Sequence, residues 1–324
     1  MIRMNYMLHN RIKQSLILPV LLSMAALLAI SCQRTPSTDI PSGSIVAWGL
    51  DDHGQVSQIP EGDDFIQVSA GYRHSLALRK DGTIAAWGYD SRGQVLDTPD
   101  DDGYVAISAG YGHNLALRKD GTMVAWGLDM TEQVSKRPRG NNFVAISAGF
   151  DTSIALRENG TFVVWGGRYR DRDDAEVRGI TDVPKGLRVS DISVNRSQHF
   201  VLTDEGYIRA WGTDLMGSVS EVPVDNDFIS VVAGARHGLA LRNDSTIVAW
   251  GWDMRGEVSD APNRNGFVAL DAGYTHSLAL HSDGTITAWG WSRGNHNQIE
   301  DTPTENNFVA ISAGIYHNLA IQQK

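Results

Sequence analysis

The chain has 324 residues and a formal net charge of −10, from 28 Lys and Arg against 38 Asp and Glu. That balance repels polyphosphate, so no nucleic-acid partner is expected, and a hydrophobic fraction of 42% excludes a disordered chain. The one cysteine, Cys32, excludes internal disulfides and any CxxC metal or redox motif.

Residues 1–31 read as an export signal. Arg3, Arg11 and Lys13 precede an apolar run from Leu16 to Ile30, and Ser31-Cys32 follow at once. The run is shorter than the roughly 20 apolar residues a spanning helix needs. The stretch Leu27-Leu28-Ala29-Ile30-Ser31-Cys32 resembles a bacterial lipoprotein box, which implies that Cys32 is lipidated and becomes the new N-terminus. Residues 32–42, rich in Ser, Thr and Pro, then form a lipid-anchored linker. Loss of the signal removes three cations and no acid, so the mature chain has 25 cations, 38 acids and a charge of −13. Gln33 differs from the Asp that marks inner-membrane retention, which favours the outer membrane of a bacterial envelope.

From residue 43 to 324 the chain is a repeat. Trp-Gly recurs at Trp48, Trp87, Trp126, Trp165, Trp211, Trp250 and Trp289, with spacings of 39 residues except for one of 46. A fixed period near 40 marks a supersecondary unit too small to bury its own apolar faces. In the copy from Phe65 to Pro99, Phe65 to Ala70 reads as one strand and Ser75 to Arg79 as a second. Asp81-Gly82 makes a tight hairpin, and Ile84 to Trp87 is a third strand. Gln94-Val95 reads as a short outer strand ended by Pro99, giving four strands per copy.

The chain stops at Leu319-Ala320-Ile321, where a third strand is due, and Ser44 to Gly49 supplies that strand at the other end. Pairing the two closes a ring and removes both free edges. The expectation is an all-β, seven-bladed β-propeller of four-stranded blades, with one blade split between the termini.

The pattern Ala-Gly-x-x-His-x-x-Ala-Leu-x-x-Asp-Gly-x-x-x-x-Trp-Gly, seen from Ala70 to Gly88 and from Ala109 to Gly127, resembles the regulator of chromosome condensation repeat. The copies are most similar to those of compact bacterial secreted members, among them the propeller-type inhibitors of class A β-lactamases. The resemblance implies the seven-bladed fold and a protein-binding surface on the loops, where those inhibitors use aromatic and acidic residues.

The Gly-x-x-His loop and the loop after Trp-Gly leave one face of the ring, opposite the Asp-Gly hairpins. That face carries Tyr72, Arg73, Tyr89, Tyr111, Phe150, Arg236, Trp252, Arg255, Tyr274, Trp291 and Tyr316. Aromatic residues with Arg are the currency of protein-binding hot spots, so these eleven are the candidate partner-binding residues. The hairpin face offers mainly Lys, Arg, Asp and Asn. His74, His113, His237, His276 and His317 share one repeat position in separate blades, too far apart to share an ion, and read as structural; no metal and no cofactor are expected. An insertion at 166–182, including Arg168 to Asp174, is a further candidate for recognition.

No metalloprotease, phosphate-loop or nucleophile-elbow motif is present, and no cysteine is free to attack, so catalysis is not expected. The function read from the sequence is an envelope-tethered, monomeric, non-catalytic module for an unknown protein partner, held to the membrane through Cys32. One alternative is a propeller enzyme or glycan binder that uses the axial pocket. Another, guanine-nucleotide exchange, rests on the family resemblance alone.

Overall fold

The computed structural model describes residues 40–167 and 186–324, apart from 197, 215, 293 and 295. Residues 1–31, read above as an export signal, Cys32 and Arg168 to Asp174 lie outside the described residues. The described residues form seven antiparallel sheets of three strands. One complete blade consists of Phe65–Ala70, His74–Arg79 and Ile84–Gly88 in that order across the sheet, and the remaining blades repeat it. The first strand of each blade packs against the first strand of the next, all the way round, so that Phe65–Ala70 meets both Tyr104–Ala109 and Phe308–Ala313. These seven strands surround an axial cavity of about 1150 Å³.

The split blade is present. Ser44–Gly49 pairs antiparallel with His317–Gln322, from Ser44 opposite Gln322 to Gly49 opposite His317. The first half of the chain therefore cannot complete its sheet without the last, and the ring has no free end.

Among the described residues the expected fourth strand is absent, which corrects the count there to three per blade. The segment after Trp-Gly is instead a tight turn. The carboxylate of Asp90 accepts from the amides of Val95 and Leu96, and Asp51, Asp129, Asp214 and Asp253 repeat the arrangement. Asp97 N–H also donates to the Gly93 carbonyl, one helical turn back. An acceptor five and six residues upstream thus draws the Val95 and Leu96 amides into a turn, and the local bonds win over a sheet ladder.

Seven apolar clusters fill the seven blade junctions. Leu76 and Leu78 of one blade, for example, pack with Tyr104, Ile107 and Trp126 of the next. The Trp-Gly tryptophans are only 4–7% exposed. Trp126 Nε1 donates to the Gln94 carbonyl on the preceding blade at 3.1 Å, and Trp48, Trp87, Trp165, Trp250 and Trp289 make the equivalent bond. Each indole buries on the order of 200 Å² while its one polar atom is satisfied. The glycine that follows is required by backbone geometry. Gly88 has φ +98°, and a Cβ there would lie 2.7 Å from the Arg73 carbonyl oxygen.

Around the axis a second set of bonds crosses the junctions. Ser69, Ser108, Ser147, Ser193 and Ser312 each accept through Oγ from an amide of the following inner strand, as in Ala109 N–H to Ser69 at 2.9 Å. Asp271 does the same for Ala313 at 2.8 Å. Val232 occupies this position at one junction and has no acceptor to offer.

Candidate functional site

The loop face gathers the expected residues into three groups. Tyr316, Tyr72, Tyr111 and Phe150 form a continuous arc, with ring centroids 5.7, 4.4 and 3.8 Å apart in turn. For Tyr72, Tyr111 and Phe150 the contact follows from the repeat, because each sits just after the Ala-Gly step of its own blade, where the chain passes nearest the axis, while Tyr316 stands one residue further along its loop. Tyr111 and Phe150 also line the mouth of the axial cavity. Arg73 lies 5.0 Å over Tyr72 and binds Asp52 at 2.9 Å and His53 Nε2 at 2.9 Å, and His53 packs on Tyr89 at 4.6 Å. The first group therefore extends outward to Tyr89.

The second group is Arg236, Trp252 and Tyr274. The Arg236 guanidinium lies 4.8 Å from the Trp252 ring and 5.5 Å from the Tyr274 ring, and donates to the Tyr274 hydroxyl at 3.3 Å. Arg255 over Trp291, at 4.5 Å, is the third group. All eleven are half-buried except Arg255, which is exposed. Rings held by other rings lose little freedom when a partner arrives, which favours binding. The hairpin face also has arginines over rings, as in Arg79 over Phe65, Arg118 over Tyr104 and Arg209 over Tyr207, but Phe65 and Tyr104 are buried in their blades. At its tips Lys80, Asp81, Lys119, Asp120, Asn243 and Asp244 are exposed, and the hairpin aspartates are occupied by the threonine two residues on.

Sequence reasoning missed Asp52, His53, Arg196 and His296. His296 packs edge-on against Tyr316 at 5.4 Å, and Arg196 donates to the Tyr274 hydroxyl at 3.4 Å. The signal for Arg196 was available in the degraded copy Ser193-Val194-Asn195, where Asn195-Arg196 replaces the usual Gly-aromatic step.

Three segments, residues 65–94, 104–130 and 267–298, match the sequence model of the regulator of chromosome condensation (RCC1) repeat. These three segments are RCC1 repeats. No curated protein sequence matches it. Among solved structures it is similar to Prp20p of Saccharomyces cerevisiae, at 18% identity and a TM-score of 0.70 over 88% of this chain and 92% of that one. Human WBSCR16 superposes with a TM-score of 0.68 at 14% identity, over 86% of this chain and 98% of the other. The ectodomain of the Arabidopsis thaliana receptor kinase ACR4 gives 0.66 at 17% identity, covering 79% and 90%. At these identities the likeness is one of fold.

Two features of the RCC1-repeat ring that resemble chemistry are structural. The cavity acids are tied to backbone: Asp191 accepts from Ile192 and Val231, and Asp271 from Ala272 and Ala313, bridging adjacent strands. Burial raises both carboxyls to about 6. The repeated histidines are fully buried and face the next blade rather than one another. His74 and His276 reach Asn114 and Asn318 Oδ1 at 2.7 and 2.6 Å, and His113, His237 and His317 reach Ser153, Ser277 and Ser75 Oγ at 2.8, 2.8 and 2.9 Å. Asn114 and Asn318 spend their amide N–H on the Gln94 and Gln298 carbonyls, so their oxygens face the imidazoles and Nε2 is the protonated nitrogen. Among the described residues, no three His, Cys, Asp or Glu side chains are grouped to hold a metal.

The odd copies obey the same rule. Thr152 stands where histidine is usual, and the histidine appears one place along in the next blade, as His199, 3.2 Å from Thr152 Oγ1. Gln198 faces Gly238, which has no side chain, and turns to Ser218 at 2.6 Å.

Burial lowers His113, His199 and His317 to about 3 and His74, His237 and His276 to about 4. Because folded values lie below the unfolded 6.5, these six contribute stability above pH 6.5 that is lost as pH falls toward 4. Asp191 and Asp271, raised above 3.8, act oppositely between pH 4 and 6. Six histidines against two carboxyls leave the equivalent of four groups that lose stability as pH falls through that window. Urea unfolding at pH 7, 6 and 5 is expected to show this loss, and His237→Gln to reduce it by about a quarter. A pH-independent midpoint would contradict it.

Proposed function

We propose that this propeller is a non-catalytic protein-binding module, carried on the cell envelope by a lipid on Cys32, whose partner docks on the loop face. The observation that carries the reading is the asymmetry of the two rims. Part-exposed rings stacked on one another and on arginines crowd one. On the other, the rings under arginines such as Arg79 and Arg118 are buried in the blades, and the tips are short, internally bonded polar hairpins. Half-buried, preorganised Tyr, Trp and Arg are the residues that give an interface its energy. Relatives by fold offer precedent: binding properties of Prp20p toward Gsp1p and histones have been described, and yeast RCC1 (Prp20) has been seen bound to Kap60. A charge of −10 favours a protein over a nucleic-acid partner here.

Pull-down with the mature protein tests the docking face. Replacing Tyr72, Tyr111, Trp252 and Tyr274 by Ala is expected to reduce partner recovery at least about tenfold, since hot-spot rings are each worth about 2 kcal/mol or more. Lys80→Ala with Lys119→Ala on the hairpin rim is expected to leave it unchanged, and equal recovery with both variants would rule the loop face out. The anchor is tested separately by labelling cells with a clickable fatty acid. The label is expected on the parent protein and absent from Cys32→Ser, whereas an unlabelled parent would contradict lipidation.

A further inference from the structure

We propose that Arg196, Arg236 and the Tyr274 hydroxyl form a clamp for a carboxylate, built to take an acidic side chain of the protein partner. This rests on the loop-face reading above and specifies the chemistry of the partner there.

The argument starts from two arginines at one repeat position. Arg73 and Arg236 each precede the conserved-position histidine of their loop, His74 and His237. Arg73 is neutralised, 2.9 Å from Asp52, which lies 21 residues before it. The residue 21 before Arg236 is Leu215, and where His53 assists Arg73 the chain has Met216. Among the described residues no acid forms an ion pair with Arg236 or with Arg196. Acids are not scarce elsewhere, since Arg79, Arg118 and Arg242 on the blades all hold aspartates.

The two unpaired arginines converge. Arg236 donates to the Tyr274 oxygen at 3.3 Å and Arg196 to the same oxygen at 3.4 Å. Two positive charges around one phenol repel unless an anion comes between them. Arg236 is held by the Trp252 and Tyr274 rings, and its Nε is buried without an acceptor. Arg196 takes a left-handed backbone, φ +21°, which costs energy in a residue with a Cβ. Strain of this kind persists where a function uses it. With both arginines donating, the Tyr274 O–H is free to donate as well, giving a planar anion three donors from one side. A carboxylate matches the planar guanidinium forks.

Calorimetric titration of the mature protein with a capped hexaglutamate peptide tests the clamp, with hexaglutamine and sulfate as controls. Saturable binding of hexaglutamate alone is expected. Arg196→Gln and Arg236→Gln are each expected to weaken it at least about tenfold, and Arg92→Gln, on an exposed loop of a blade outside the clamp, less than about twofold. Both clamp variants are expected to melt no lower than the parent, because a repulsion has been removed. The proposal is overturned if the parent ignores hexaglutamate, if the variants bind it equally, if sulfate binds as tightly, or if either variant loses stability. The peptide needs no natural partner, so its failure is distinguishable from failure of the pull-down.

Discussion

Every blade hands its buried polar groups to the next, and the hand-off must return to its start. The Nε2 of the five repeat-position histidines, the Nε1 of six tryptophans and five inner-strand serine Oγ atoms find partners across a junction rather than inside their own sheet. An open array would leave these groups, and the apolar face around them, without partners on its terminal blades. The bonds from His317 to Ser75 and from Ala70 to Ser312 complete the circuit between the last sheet and the first. Closure is thus required by hydrogen bonding as much as by apolar burial.

That constraint explains where variation is tolerated. When the histidine is missing at Thr152, its ring reappears as His199 across the same junction, and when Gly238 removes a partner, Gln198 turns to Ser218. Substitutions at the junctions come in compensating pairs because a single change would strand a buried group. Loop positions outside the relay carry no such obligation. Aromatics and arginines accumulate there without disturbing the ring, and the rim becomes the surface on which copies differ.

The period, the split blade and the loop-face aromatics were legible in the sequence because each is a repeated position counted along the chain. The strand number was not. Gln94-Val95 has strand composition, but the Asp90 side chain captures the Val95 and Leu96 amides, and nothing in a propensity reading weighs that local acceptor against a distant ladder. Grouping on the rim also escaped the sequence. Tyr72, Tyr111 and Phe150 are 39 residues apart and meet because equal offsets put them side by side, whereas Trp291 with Arg255 stands apart from Trp252. Arg196 was overlooked because its copy departs from the template at that step. Departures of that kind mark places where ring-building no longer dictates the residue.

Closure of the ring by the two chain ends is tested most directly by a designed crosslink. Ser44 lies opposite Gln322 in the ladder, both partly exposed, at a separation that suits a disulfide. In a Cys32→Ser background, Ser44→Cys with Gln322→Cys is expected to oxidise spontaneously to an intramolecular disulfide, faster-migrating on denaturing gels and reverting on reduction. Two thiols that stay free in the folded protein under oxidising conditions would contradict the shared sheet and the ring built on it.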